Sequence, residues 1–174
     1  MSGDDFAESR AHPHRLDDQP DYVIAITSAA RVERALTLYL KHRLRYDRNI
    51  YAEMFQGAGP LSTFDAKINI AFLFGIAETT TIRQLKVVCR IAKRFGERFE
   101  TISFSSPPIQ ALVDTLATSG FLSKPPGETS AGRVAKLQYI AACSHLVEMF
   151  STTPSCENSK RVESNYVRSE SEDT

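Results

Sequence analysis

The stretch 59–116 constrains this chain most, because it holds two apolar helical patterns parted by a glycine break and closes on a third that a proline opens. Its first block, GPLSTFDAKINIAFLFGI, places Leu61, Phe64, Ile68 and Phe72 on one helical face, and Ile70 and Phe74 widen it. A helix apolar over so much of its surface is expected at the centre of a bundle. Gly57, Gly59 and Pro60 set it off from what precedes. Ser62 or Thr63 offers an N-cap, and Asp65 in the first turn suits the positive end of the helix dipole.

Gly75 ends this helix, and Thr79, Thr80 and Thr81 are placed to cap the next one. There Ile82, Leu85, Val88, Cys89, Ile91 and Phe95 make a buried stripe. The other side carries Arg83, Lys86, Arg90, Lys93, Arg94 and Arg98 against Glu97 alone, a net charge of five spread over about four turns. A solvated outer face has this composition, and so does a surface that holds phosphates or an acidic protein. Arg83, Lys86, Arg90, Lys93 and Arg94 are therefore the candidate binding residues. Further on, Phe99, Ile102 and Phe104 alternate as an extended segment would. Ser106 and Pro107 then open a helix that turns Ile109, Leu112, Val113 and Leu116 inward and stops at Gly120.

Upstream, Val32, Leu36, Leu40 and Leu44 recur every four residues beside Ile26, Ala29 and Ala30, which predicts a long amphipathic helix. Glu33 is a charge placed beside that stripe, and Lys67 is a cation flanked by Phe64, Ala71 and Phe74 on its own helix. Each needs a partner if its helix is packed, so the two are expected to form a structural ion pair. Residues 47–55 read as a short helix, and SKPPGETSAG at 123–132 reads as a loop. A last helix from Arg133 is expected to bury Leu137, Ile140, Ala141, Leu146 and Phe150, with His145 at its boundary. No segment repeats another. The pattern predicts an all-α fold, an irregular bundle of five or six helices over 22–150, with a disordered acidic tail at 1–21 and a disordered polar tail at 151–174.

Charge is balanced at 21 basic and 21 acidic residues, but unevenly placed. Removing the five basic and eleven acidic residues of 1–21 and 151–174 leaves 16 basic and 10 acidic residues in 22–150. The core is thus cationic and the flanks are anionic. Cys89, Cys143 and Cys156 have no CxxC spacing, and His12 and His14 have no third ligand near them in sequence, so no metal or cofactor is expected. No nucleophile and base stand in a catalytic motif, so no catalytic residue is named and a non-enzyme is expected. No apolar stretch approaches the ~20 residues of a membrane helix, and a cytoplasmic location is expected.

The blocks ARVERAL and GPLSTFDAKINIAFLFGI together resemble the bacterial mannitol-operon repressor family. The positions that carry the resemblance are Val32, Glu33 and Arg34, then Gly59, Pro60, Leu61, Ser62, Phe64, Ala66, Lys67 and Ile68, then Gly75 and Ile76. Phe104, Pro107 and Ile109 match a later element of that pattern, and the resemblance spans 22–150. Related helical domains, HEPN-like toxin ribonucleases among them, carry an Arg and a His that bind phosphate and act on RNA. Here those positions hold Ala92 and Glu97. Ala92 brings no charge and Glu97 repels phosphate, so the resemblance implies regulation without nuclease chemistry. It implies a transcriptional regulator that works through a partner protein. Nucleic acid bound by the basic helix 81–98 is the alternative, and self-association is left open.

Overall fold

The computed structural model describes residues 19–44, 47–97, 102–117 and 130–152, which are all-α, with six helices and no strand among them. The helices are α1 (Asp21–Arg43), α2 (Arg48–Phe55), α3 (Phe64–Leu73), α4 (Thr79–Glu97), α5 (Pro107–Ala117) and α6 (Ala131–Ser151). Most of the tails expected at 1–21 and 151–174 lie outside the described residues, as do Gly120, Arg98 and most of the 123–132 loop. No described helix is long and apolar enough to cross a membrane.

Long α1 packs most extensively on α6 and next on α4, while α5 leans on both α4 and α6. The centre of the core is aromatic. Phe104 lies between Phe95 of α4 and Tyr139 of α6, with ring centroids 5.1 and 5.4 Å away. The Tyr139 hydroxyl donates to the Ala25 carbonyl at 2.8 Å, which satisfies a buried polar group at the α1–α6 contact. No buried side-chain nitrogen or oxygen among the described residues lacks a partner.

The stripes differ in phase from the sequence expectation at both ends of the chain. On α1 the buried set is Ile24, Ala25, Ser28, Ala29, Val32, Ala35, Leu36 and Leu40, whereas Ile26 and Ala30 face water. On α6 it is Ala135, Lys136, Tyr139, Ala142, Cys143, Leu146 and Phe150, with Ala141 exposed and Leu137 and Ile140 half-buried. Small residues explain both shifts: α1 and α6 approach closely through Ala and Ser, and a count of large apolar residues gives these little weight.

The expectation of a central α3 is corrected. Only Lys67, Ile68 and Ala71 are buried in it, while Phe72, Leu73 and Phe74 are 51, 75 and 64% exposed. At ten residues, α3 presents one narrow stripe to α1 and α4, and no other described helix packs extensively on it. Its ends are as expected. Thr63 Oγ1 caps the Ala66 amide, and Gly75, at φ 60°, takes the left-handed conformation that closes a helix. Gly59 is required by space, since a Cβ there would stand 2.2 Å from the Glu53 carbonyl oxygen. Thr79 and Thr80 open α4 and Thr81 is buried within its first turn, so none of the three precedes the helix as a cap. Ile102 to Ser106 form a turn rather than an extended crossing. It drops Phe104 into the core, and Ser106 precedes Pro107 with its hydroxyl accepting from the Ser103 amide.

Asp21, read from sequence as part of a tail, is instead the first residue of α1 and a tie point. Its carboxylate accepts from the Phe104 amide at 2.9 Å and meets Lys136 Nζ at 3.1 Å. Lys136 also donates to the Gln19 carbonyl. One acid thus joins the start of α1, the turn before α5 and the start of α6. The turn lies so close to α6 that a Cβ on Gly132 would come within 2.9 Å of Ser105 Cβ.

Candidate functional site

The cations of α4 fall into two groups that its sequence does not distinguish. Lys93 sits on the flank facing α3, where its ammonium pairs with the Asp65 carboxylate. The Cys89 thiol donates to the other Asp65 oxygen at 3.4 Å. The Lys93 hydrogen bond is the main reason Asp65 titrates below its ordinary value, with the Cys89 bond adding to it. Two residues further along α3, Lys67 Nζ meets Glu33 Oε1 of α1 at 2.7 Å, with 9 and 30% of the two side chains exposed. The structure therefore brings Glu33 and Lys67 together, and joins Lys93 to the same α1–α3–α4 seam.

Arg83, Lys86 and Arg90 lie elsewhere. They follow one another at helical spacing of three and four residues, are exposed, and have no carboxylate partner among the described residues. They border an open groove of about 730 Å³ between α4, α5 and α6. Val87 of α4, Leu112 of α5 and Met149 of α6 give it apolar, half-buried walls, Thr115 and His145 add polar groups, and one acid, the exposed Glu78, lines it just before α4. Thr81 Oγ1 lies 3.9 Å from Met149 Sδ at the end where α4 begins. Such a site suits a ligand with an acidic edge and an apolar face, since it offers charge for one and dry surface for the other.

Of the five basic candidates, the groove thus takes Arg83, Lys86 and Arg90. Lys93 is committed to Asp65, and Arg94 is exposed outside the groove lining. His145 is a groove residue rather than a mere boundary one. Sequence reasoning placed it near the apolar face of α6 but had no means of knowing which helices would meet there. Ala92 is half-buried and Glu97 exposed on α4, and neither lines the groove.

Thiol chemistry has little footing. Burial pushes both Cys89 and Cys143 up to about 12, so each is protonated near neutrality and a poor nucleophile. No group of three His, Cys, Asp or Glu side chains among the described residues is placed to hold a metal ion.

No family model matches the chain, and no curated protein matches it. Among solved structures, the crystal structure of a possible transcriptional regulator YggD from Shigella flexneri 2a is similar. It aligns with a TM-score of 0.58 over 78% of this chain and 92% of that one, at 14% sequence identity. At that identity the likeness shows a common helical fold.

Proposed function

We propose that this chain is a non-enzymatic regulatory domain that acts by docking an acidic surface of a partner protein in the α4–α5–α6 groove. The observation that carries the reading is the set Arg83, Lys86 and Arg90, three cations with no carboxylate partner among the described residues, beside apolar walls. Electrostatic complementarity of this kind steers encounter and selects acidic partners, and the walls supply contact area. The fold shared with a possible transcriptional regulator, and the blocks resembling the mannitol-operon repressor family, favour a role in transcription. Repression through a partner, in the cytoplasm, is the form this role takes here. The test is to cross-link, identify and re-express the captured partner, then measure its affinity by calorimetry. Changing Arg83, Lys86 and Arg90 together to Glu should abolish binding and leave the melting temperature within about 2 °C. Equal affinity for the reversed variant would remove the groove from the function.

His145 beside those cations favours a second reading, binding of nucleic acid in the same groove. Three phosphate contacts would weaken binding about 40-fold between 50 and 200 mM salt. Sub-micromolar binding to DNA or RNA with that dependence would replace the protein-docking reading.

A further inference from the structure

We propose that the outer face of α3 joins two copies of this chain, paired antiparallel about a two-fold axis. Phe72, Leu73 and Phe74 end this helix 51, 75 and 64% exposed. Among the described helices only α1 and α4 pack extensively on α3, and they meet its inner stripe. Charge is missing from the same outer surface. Between Ala66 and Ala77 the one ionic side chain is Lys67, and it turns inward to Glu33. A helix face that shows no charge over two turns, with aromatic rings beside it, has the composition of an interface core.

Area separates a chance exposure from a docking surface. Side chains of this size present on the order of 200 Å² each, so at these exposures the three leave about 350–400 Å² of apolar surface open. Single exposed apolar residues are ordinary, but a contiguous patch of about 300–600 Å² is often functional. A second copy hides the patch twice. At the roughly 65% apolar share of a homodimer interface, about 700–800 Å² of apolar area corresponds to about 1,100–1,200 Å² in all. That clears the ~1,000 Å² a specific pair needs, at the weak end of the range. A Kd on the order of 1–100 μM is expected.

The occupant is set by charge and by spacing. A charged partner finds no counter-charge on this face, whereas a second copy brings an equally uncharged one. The whole chain balances 21 basic and 21 acidic residues, so two copies meet without net repulsion. Ala66, Asn69 and Leu73 follow one another at three and four residues, which puts them on one line along α3. Ala66 is half-buried, and Asn69 and Leu73 are exposed. Run antiparallel about a two-fold axis, this line of about 10 Å sets Leu73 of each copy against Ala66 of the other, large against small. The two Asn69 amides come together near the axis. An amide can both donate to and accept from its own image, as a contact between identical surfaces requires. None of the groove's lining residues belongs to α3, so the pair carries two grooves, and the inference is independent of what fills them.

The experiment is sedimentation equilibrium on the full chain in reducing buffer, from about 1 to 300 μM, a range that brackets the expected Kd. The expected result is a mass that climbs from one chain toward two. Leu73→Glu, at a side chain that stands mostly in water, should raise the Kd at least about tenfold and leave the melting temperature within about 2 °C. Asn69→Glu and Asn69→Lys should each weaken the pair, because each sets like charges together at the axis. An equal mixture of the two should associate more tightly than either alone. The mass of one chain at the highest concentration overturns the inference, and the chain's own flanks or a different protein then cover α3. Association that survives Leu73→Glu places the contact on another face and overturns it too. Weakening by both Asn69 variants with no recovery on mixing overturns the antiparallel two-fold pairing.

Discussion

The seam between α1, α3 and α4 and the groove between α4, α5 and α6 share one helix and use its cations in opposite ways. In the seam, Lys67 and Lys93 each meet a carboxylate, Glu33 and Asp65, and the Asp65 carboxylate also accepts from the Cys89 thiol. In the groove, Arg83, Lys86 and Arg90 stand close together with no described carboxylate near enough to pair. Charge that is needed to hold helices together is neutralised locally, since leaving it unpaired near the core costs several kcal/mol. Charge without a described carboxylate partner on an exposed groove is held by water at little cost to the fold, which leaves it accessible to a ligand.

Breaking the seam is expected to give the largest effect. Glu33→Gln leaves the Lys67 ammonium nearly buried without an anion, and should cost about 3 kcal/mol, the low end for buried pairs because Glu33 keeps 30% of its side chain in water. Lys67→Met leaves the better-hydrated partner behind and should cost less. The double variant should recover part of the loss in a denaturant-measured double-mutant cycle. Single costs under about 0.5 kcal/mol, or costs that simply add, would show that the seam is not held by this pair.

Alkaline pH sharpens the same contrast through Cys89. Burial first, and the Asp65 carboxylate second, raise its thiol from 9.0 to about 12 in the native chain. A group with a raised native pKa contributes stability that is whole below the unfolded value and is lost as pH climbs through the native one. The unfolded chain therefore releases this proton first above pH 9. Stability should then fall by up to about 1.4 kcal/mol per pH unit, or about 2 kcal/mol by pH 10.5. Denaturant titrations at pH 8 to 10.5 should show a shallower decline for Cys89→Ala than for the unaltered chain. Parallel declines would place Cys89 in water rather than in the seam.

The seam was partly legible in the sequence and the groove was not, for a physical reason. Glu33 and Lys67 are charges beside apolar stripes, and a charge in that position asks for a partner wherever its helix ends up packed. Helix periodicity likewise carried the number of helices and most of the α4 stripe. A groove depends on which three helices meet, and that depends on residues whose signal is weak. Ala25, Ser28 and Ala29 let α1 approach α6 closely, and Gly132 lets the Ser105 turn sit against α6. Asp21 was hidden by its neighbours. Composition placed it in an acidic tail, and only the arrival of Lys136 and the Phe104 amide gives it a structural task. The exposed Phe72, Leu73 and Phe74 misled in the other direction, since apolar residues do not announce whether a neighbour exists to cover them.

The smallest predicted effect is the one whose sign separates the two regions most cleanly. Lys86 has Arg83 three residues before it and Arg90 four residues after it, the two spacings at which side chains on a helix are neighbours. Like charges at these spacings destabilise a helix by about 0.2–0.5 kcal/mol per pair. Lys86→Gln removes both repulsions, while its weak favourable effect on Asp65 across α4 is small beside the Lys93 hydrogen bond. The variant should therefore be more stable than the unaltered chain by about 0.5 kcal/mol at low salt. That gain should fade near 1 M salt, where the screening length shrinks to about 3 Å. Loss of stability at low salt would mean that Lys86 has a structural partner and belongs with Lys67 and Lys93. A gain in stability accompanied by weaker binding of the acidic partner protein would identify the cation cluster as one kept for a ligand at the expense of the fold.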